Sequence, residues 1–342
     1  MSGPFDRAQG KRPFGGAQGG RAAASIAVVA ATPEPAPPAG FWTQAWRRLL
    51  RNRLAVAGLA VIAAFGLVAL FAPVTAPHDP SFQDLRNTFA SPSFDHPAGT
   101  DQLGRDWFSR LVYGARLSLG VAFFAQAVVL GIGVPLGLAA GYFGRAADSL
   151  IMRFTDLVYA FPDLLLIILL RSVLGGSLFT LFLIIGIVSW VDMARLVRGQ
   201  VLSLREREFV EAARSLGAGD REIMTRHLLP NLVGPLVVVT AFGVPRVVFI
   251  EASLSFIGVG VDPGTPSWGS MVQEGYGAIF AFPHLVIFPS AAIALLMLAF
   301  TFLGDGLRDA LDPRYTPATR LPDDRAKAAP REAGERELPR AA

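Results

Sequence analysis

Histidine and aspartate are neighbours twice in this sequence, a combination that could supply ligands to a metal ion. The two pairs are His78-Asp79 and Asp95-His96, and each is followed directly by proline. Sequences of this kind are typical of turns, because proline fixes φ and aspartate accepts hydrogen bonds from the backbone that follows it. We therefore predict two turns and no metal site. No His-Glu-x-x-His sequence occurs, which argues against an intramembrane zinc protease.

The sequence also lacks motifs for nucleophilic catalysis and for nucleotide binding. Ser177 follows a pair of glycines, but no histidine stands on a neighbouring apolar segment to activate it. Lys11 and Lys327 are the only lysines, and neither completes the Gly-x-x-x-x-Gly-Lys-Ser/Thr sequence that cradles phosphates. The chain has no cysteine, so disulfides and thiolate metal sites are excluded. These absences predict a chain that is not an enzyme and that binds no cofactor itself.

Ionisable side chains inside otherwise apolar segments are the remaining candidates for function. A charge within a membrane span is expensive, so such residues usually line a water-filled path or pair with one another. We predict that Asp156 and Glu251 line a translocation pathway, with an arginine-paired or solvated role for Asp156 and a structural role for Glu251 as the alternatives. Asp192 and Arg195 are predicted to pair, because they are three residues apart on one helical face. The full set is Asp156, Asp163, Arg171, Asp192, Arg195, Arg246 and Glu251.

The composition indicates that membrane helices position these residues. The chain of 342 residues is 52% hydrophobic and 17% charged, with a mean hydropathy of +0.44, whereas soluble domains carry about 25% charged residues. Apolar runs of about 20 residues, enough to cross a bilayer as a helix, recur along the chain. The six predicted spans are Leu54–Ala76, Leu117–Gly141, Phe154–Leu174, Leu178–Val197, Leu232–Ile257 and Leu285–Gly304. The net charge of +4 includes no basic stripe interleaved with aromatic residues, so nucleic-acid binding is not expected.

The distribution of arginines predicts the orientation and the organisation of the chain. Arginines cluster before the first span, between the fourth and fifth spans and after the sixth, whereas residues 258–283 contain no Lys or Arg. By the positive-inside rule both termini are cytoplasmic. Residues 1–40 are rich in Gly, Ala and Pro and cannot bury a core, so they are expected to be disordered. We predict a cytoplasmic tail (1–40), a flank with the first span (41–76), an external loop (77–114), a five-helix core (115–310) and a cytoplasmic tail (311–342).

A polar, helix-prone element over residues 203–230 interrupts the core. It contains the sequence EAARSLGAGDREIMTRHLLP, residues 211–230. Ser203 and Glu206 have the spacing of a capping box, which predicts a first helix from about residue 204. Gly217 is predicted to end that helix in a left-handed conformation, and Asp220 to cap a second helix. Pro230 is predicted to stop the second helix before the fifth span.

The element resembles the EAA motif of ATP-binding-cassette importer permeases. Glu-Ala-Ala is followed after three residues by Gly217, and nine further residues separate Gly217 from the sequence His-Leu-Leu-Pro. The resemblance extends over residues 41–315 and is closest to the dipeptide/oligopeptide permeases of the C type. Several motifs occur in the order found in that family. Besides the EAA motif they include GTDQLGRDWFSRLVYGARLSL (99–119), MRFTDLVYAFPDLLL (152–166), EASLSFIGVGVDPGTPSWGSM (251–271) and LGDGLRDALDPR (303–314).

The resemblance implies a fold, a set of partners and a coupling site. The fold would be an all-α integral membrane protein with six transmembrane helices, of the type I ABC importer permease class, in the bacterial cytoplasmic (inner) membrane. The partners would be a homologous B-type permease subunit, two cytosolic ABC ATPases and an external solute-binding protein, with ATP and magnesium held by the ATPases. The residues expected at the ATPase contact are Glu211, Ala212, Ala213, Gly217, Leu229 and Pro230. The alternative is a secondary transporter driven by an ion gradient, with Asp156, Asp163 or Glu251 as a proton site. The sequence does not identify the solute.

Overall fold

The computed structural model describes residues 40–312. The predicted tails, apart from residues 40, 311 and 312, lie outside the described residues. Within the described range the chain is helical, and the only β-type pairing is an isolated bridge between Thr100 and Asp106. The helices are α1 (Phe41–Arg51), α2 (Arg53–Leu70), α3 (Ala72–Thr75), α4 (Trp107–Phe143), α5 (Arg145–Tyr159), α6 (Asp163–Leu174), α7 (Leu178–Leu204), α8 (Glu208–Ser215), α9 (Asp220–Glu222), α10 (Leu229–Ile257), α11 (Trp268–Tyr276) and α12 (His284–Leu311). A π-helical turn at Ile223–Leu228 joins α9 to α10.

Five helical runs are long and apolar enough to cross a membrane. They are α2, α4, α7, the continuous run Asp220–Ile257 that ends in α10, and α12. The sixth predicted span, Phe154–Leu174, is not one straight helix: α5 and α6 meet at a bend of 87°. Pro162 explains the break, because it cannot donate a backbone hydrogen bond and it restricts the residue before it. The predicted all-helical membrane fold is confirmed, with this span broken.

Several spans extend further than their apolar runs. α4 begins at Trp107, ten residues before the predicted start at Leu117, and α7 continues to Leu204 instead of ending at Val197. The start of α4 has a local cause, because the Asp106 carboxylate accepts a hydrogen bond from the Ser109 amide at 2.7 Å and caps the helix. Ser177 caps α7 in the same way through the Thr180 amide. The added turns carry polar side chains beyond the apolar region, so hydropathy alone could not find them.

Close packing of α4 on α7 forms the centre of the bundle. Gly133, Gly137 and Gly141 present their bare Cα atoms to α7, where a Cβ would lie within 2.6–2.7 Å of backbone or side-chain atoms. Their spacing of four residues keeps them on one face of α4, which allows the two backbones to approach closely. Gly131, on the same helix, has no atom of another element within 4 Å of such a Cβ and takes no part in this packing.

The bundle has two ends that differ in construction. At one end, called the α8 end, lie α1, α8, the last turn of α4 and the end of α12; Leu49 of α1 packs there against Leu307 and Ala310 of α12. At the opposite end, residues 76–106 and α11 cover the start of α4. Trp268 of α11 is fully buried, and its Nε1 donates to the Leu111 carbonyl oxygen at 3.0 Å.

Buried charges hold the opposite end together. Glu274 on α11 accepts hydrogen bonds from Arg105 at 2.6 Å and from Arg110 at 2.8 Å, and Asp101 accepts from Arg105 at 2.6 Å. The side chain of Arg110 is 0% exposed. Arg171 stays near the end of α6, where it donates to the Ser177 carbonyl oxygen at 2.7 Å. Positive and negative charges balance in the cluster around Glu274, as burial of charges requires.

Candidate functional site

The polar element begins with the short helix α8. The predicted capping box is wrong: Ser203 lies inside α7, and α8 starts at Glu208 after the N-cap residue Arg207, which makes no side-chain capping hydrogen bond. The cause is that α7 continues beyond its apolar run, so the cap sequence is absorbed into the last turn of that helix. Glu208 and Glu211 both lie in the first turn of α8, where the helix dipole favours negative charge.

Gly217 ends α8 as predicted. Its φ is 88°, in the left-handed region that glycine adopts without strain. The amide of Ala218 donates to the Ala213 carbonyl oxygen and the amide of Gly217 to the Arg214 carbonyl oxygen, both at 3.0 Å. These are the two hydrogen bonds of a Schellman motif. The bend between the two halves of the element is therefore set by one glycine.

The second half of the element runs directly into a membrane span. Asp220 is the first residue of α9 rather than its cap, and its carboxylate accepts a hydrogen bond from the Tyr142 hydroxyl at 2.7 Å. The prediction that Pro230 stops the helix is also wrong. Pro230 is the second residue of α10, which directly follows the π-helical turn Ile223–Leu228, so the helix runs on through it. Helical backbone is continuous from Asp220 to Ile257, so displacement of the element moves the span.

One face of the element is fastened to the bundle. Val210, Ile223 and Leu228 are fully buried and pack in one cluster with Val201 of α7 and Leu232 of α10. Two polar contacts stabilise the surrounding helix ends. Arg205 donates to the Gly141 carbonyl oxygen at 2.9 Å, and Arg198 donates through two nitrogens to Asp148. The element is thus attached to α4, α7 and α10 at once.

The opposite face of the element is not covered by any other part of residues 40–312. Glu211, Ala212 and Gly217 are exposed, whereas Ala213 faces the bundle and is buried. Leu216 is 89% exposed and Phe209 39% exposed. Of the later predicted residues, Pro230 is exposed and Leu229 is half-buried. The small side chains lie beside the exposed Leu216 at the bend, so another protein can approach this surface closely. Exposed apolar groups of this kind are typical of protein interaction sites.

A second polar site lies at the break between α5 and α6. Arg246 of α10 pairs with Asp163 of α6 at 2.6 Å and with Asp192 of α7. The three side chains are 46%, 34% and 46% exposed on the surface of this chain. Because lipid tails cannot solvate such groups, this face borders water or another protein. The sequence pattern singled out each of these residues but could not show that they converge.

Asp156 belongs to the same region, but the predicted partners of the α7 charges are wrong. Arg195 pairs with Asp156 at 2.6 Å and not with Asp192, and its guanidinium carbon lies 4.3 Å from the centre of the Tyr159 ring. Asp192 lies near the middle of α7 and not near an end, because α7 continues to Leu204. The two α7 residues pair with other helices instead: Arg195 with Asp156 of α5, and Asp192 with Arg246 of α10.

Glu251 is separate from this region. It is 0% exposed and accepts hydrogen bonds from the hydroxyls of Ser118 at 3.1 Å and Ser255 at 2.8 Å. These contacts favour the structural alternative of the sequence analysis. A role of Glu251 in a pathway stays a prediction.

Comparison with known proteins agrees with this architecture. Residues 133–317 match the family described as "Binding-protein-dependent transport system inner membrane component", and residues 40–92 match the "N-terminal TM domain of oligopeptide transport permease C". The dipeptide transport system permease protein DppC of Alkalihalophilus pseudofirmus is 42% identical over 83% of this chain and 96% of its own length. The oligopeptide transport system permease protein OppC of Bacillus subtilis is 42% identical over 80% of this chain and 90% of its own. The glutathione transport system permease protein GsiD of Escherichia coli O6:K15:H31 is 43% identical over the same shares, 80% and 90%.

These matches cover both the polar element and the spans around it. They decide against the alternative of an ion-driven secondary transporter, and they account for the several motifs that the sequence carries in order. The chain therefore belongs to the family of inner-membrane permease components of binding-protein-dependent transport systems.

Proposed function

We propose that this chain is one permease subunit of an ATP-binding-cassette importer and that it forms half of a translocation pathway. A homologous B-type permease subunit would supply the other half, and an external solute-binding protein would deliver the solute. The observation that supports the pairing is the polar face at Arg246, Asp163 and Asp192. These charges lie on apolar spans and need water or a second protein beside them.

The energy would come from two cytosolic ATPase subunits, which hold ATP and magnesium. The chain has no phosphate-binding sequence of its own and acts as a transport component without enzymatic activity. The α8 end faces the cytoplasm, because the arginines of residues 203–230 belong on the side where positive charge is retained. With the bent pair α5–α6 counted as one span, the chain would cross the membrane six times, and both termini would lie on that side.

The element would transmit force by direct mechanical connection. Glu211, Ala212, Gly217 and Leu216 form the surface on which an ATPase docks, with Ala213 packed beneath them. The helix is continuous from Asp220 to Ile257, so closure of the ATPases on ATP would tilt α10 together with the element. A ligand shifts the equilibrium between two conformations only when it binds them with different affinities. Here that difference would arise in the docked ATPases, which close on ATP.

The solute is proposed to be a short peptide or a peptide-like compound. This follows from relatives whose names specify dipeptides, oligopeptides and glutathione. Asp156, Asp163 and Asp192 together with Arg195 and Arg246 carry one net negative charge at the proposed pathway. A protonated peptide amino terminus would be attracted there, which adds a physical reason to the choice of solute.

Two substitutions that change the charge of the exposed face of the element test the proposal. Glu211→Lys and Gly217→Asp place unfavourable groups on the docking surface, and Gly217→Asp also forces a non-glycine residue to a φ of 88°. Both variants are expected to reach the membrane and to reduce uptake of a labelled dipeptide at least tenfold. Asp309→Lys is the matched control, because Asp309 is an exposed acidic residue at the same end but outside the element. Uptake at the wild-type rate in both variants would refute the assignment.

A further inference from the structure

Two histidines and one carboxylate that are far apart in sequence meet at the opposite end of the bundle. His96 Nδ1 lies 2.9 Å from Asp106 Oδ1, and His78 Nδ1 lies 3.9 Å from the same oxygen. The three ligand atoms all lie within 4.8 Å of one another. Within residues 40–312 this is the only group of three or more His, Asp or Glu side chains with the spacing of a metal site.

Each of the three residues is held in place by its own backbone contacts. The His78 amide donates to the Ser109 hydroxyl at 3.1 Å, and the His96 amide donates to the Ser93 hydroxyl at the same distance. Asp106 uses its other oxygen to cap α4, which leaves Oδ1 directed at the two rings. The two predicted turns are present as well: Asp79 accepts a hydrogen bond from the Ser81 amide at 2.7 Å, and the His96 carbonyl oxygen accepts one from the Gly99 amide at 2.9 Å. The turns therefore bring the rings together.

Hydrogen bonding explains only part of this arrangement. The contact of His96 with Asp106 has the length of a hydrogen bond, but 3.9 Å between His78 and Asp106 is too long for one. The two imidazole rings lie with their centres 4.9 Å apart, so two protonated rings would repel each other. A divalent cation between the three ligand atoms would attract all of them and would require both imidazoles to be neutral.

We propose that His78, His96 and Asp106 bind a divalent transition-metal ion, with Zn²⁺ as the best fit. Two imidazole nitrogens and one carboxylate oxygen suit zinc rather than calcium or magnesium, which prefer oxygen ligands. Zinc bonds of about 2.1 Å at tetrahedral angles place ligand atoms about 3.4 Å apart. The side chain of His78 is 40% exposed and can swing inward, whereas the Asp106 side chain is 1% exposed and already fixed.

The fourth coordination position would be open. A polar cavity of about 510 Å³ that is open to solvent borders His78, Asp79 and Tyr113. A water molecule completes the shell there. The bound ion would tie residues 76–80 and 93–96 to the first turn of α4, so it would stiffen the loop that covers this end of the bundle. This proposal does not depend on the transport function.

Metal binding to the purified transporter complex tests the proposal. The complex carries no histidine tag, is stripped with a chelator and is titrated with ZnCl₂ in a calorimeter. The expected result is one additional equivalent of zinc at micromolar affinity or tighter, relative to a His78→Gln/His96→Gln double variant. Co²⁺ in place of zinc is expected to show the d–d absorption of a four-coordinate nitrogen and oxygen site in the wild type only.

Single variants separate a metal site from ordinary hydrogen bonding. Asp106→Asn keeps the α4 cap, since asparagine caps helices as well as aspartate, but it should weaken zinc binding at least tenfold. His78→Gln should weaken it as much as His96→Gln does. His227→Gln, on the π-helical turn at the α8 end, is the control and should leave binding unchanged. Equal zinc binding by the wild type and the double variant, or binding only at millimolar zinc, would overturn the proposal.

Discussion

The glycines of α4 allow a prediction about stability: alanine should destabilise the protein at Gly137 but not at Gly131. At Gly137 an added Cβ would lie 2.6 Å from the Ala194 carbonyl oxygen and 2.7 Å from the Val197 Cβ. Ordinary contact begins at 3.4 Å, so α4 and α7 would have to separate by 3.4 − 2.6 = 0.8 Å. The obstructing oxygen belongs to helical backbone and cannot rotate away. Overpacking of this kind costs about 1–3 kcal/mol and is offset by at most about 1 kcal/mol of helix propensity, so Gly137→Ala should destabilise the protein by up to about 2 kcal/mol.

Gly131→Ala is the matched control. It makes the same chemical change on the same helix, but the new Cβ meets no atom of another element within 4 Å. Alanine is a better helix former than glycine by about 1 kcal/mol, so this variant should be neutral or slightly more stable. The melting temperature of each variant is measured in detergent, with the loss of monodisperse protein on heating as the readout of unfolding. Equal melting temperatures for Gly137→Ala and Gly131→Ala would refute the close approach of α4 and α7.

Three further perturbations concern polar contacts. Glu274→Gln leaves the buried Arg110 guanidinium without its closest charge partner and should cost about 3 kcal/mol in the same unfolding assay; an unchanged melting temperature would contradict the pairing. Tyr142→Phe removes only the hydrogen bond to Asp220, so the free energy of unfolding should fall by about 1 kcal/mol. Limited proteolysis of residues 216–222 should become faster. Proteolysis at the wild-type rate would show that the contact does not order the element. Arg246→Met leaves two aspartates without their shared cation and should reduce uptake, whereas Arg246→Lys should retain part of it; equal uptake by the two variants would argue against a role for the charge.

Sequence reasoning was most reliable where the cause of a structure is local. Apolar runs predicted the spans because a bilayer demands about 20 consecutive apolar residues, whatever the neighbours are. The end of α8 at Gly217 was predicted for the same kind of reason, since a left-handed residue after a short helix favours glycine. The errors at Ser203, Asp220 and Pro230 arose at helix boundaries. There a cap sequence and a continuing helix compete, and tertiary packing decides between them.

Contacts between distant segments could not be predicted in the same way. Asp192 and Arg195 are near enough to pair on one helix, but stronger partners on α5 and α10 lie opposite them. Glu251 was singled out by its charge on an apolar segment, but the sequence could not show that Ser118 and Ser255 bond to it in a buried position. These surroundings depend on which helix faces pack together, and hydropathy does not encode that choice.

The sequence alone therefore determined the membrane class of this protein, the polar element that interrupts its spans and the family resemblance, because each depends on consecutive residues. The tertiary structure decided that the element runs without a break into α10, that Arg246 joins α6 to α7, and that His78 and His96 converge on Asp106. Each of these depends on groups separated along the chain by a turn or a span. Only the packed bundle brings such groups within a few ångströms, where charge and coordination act.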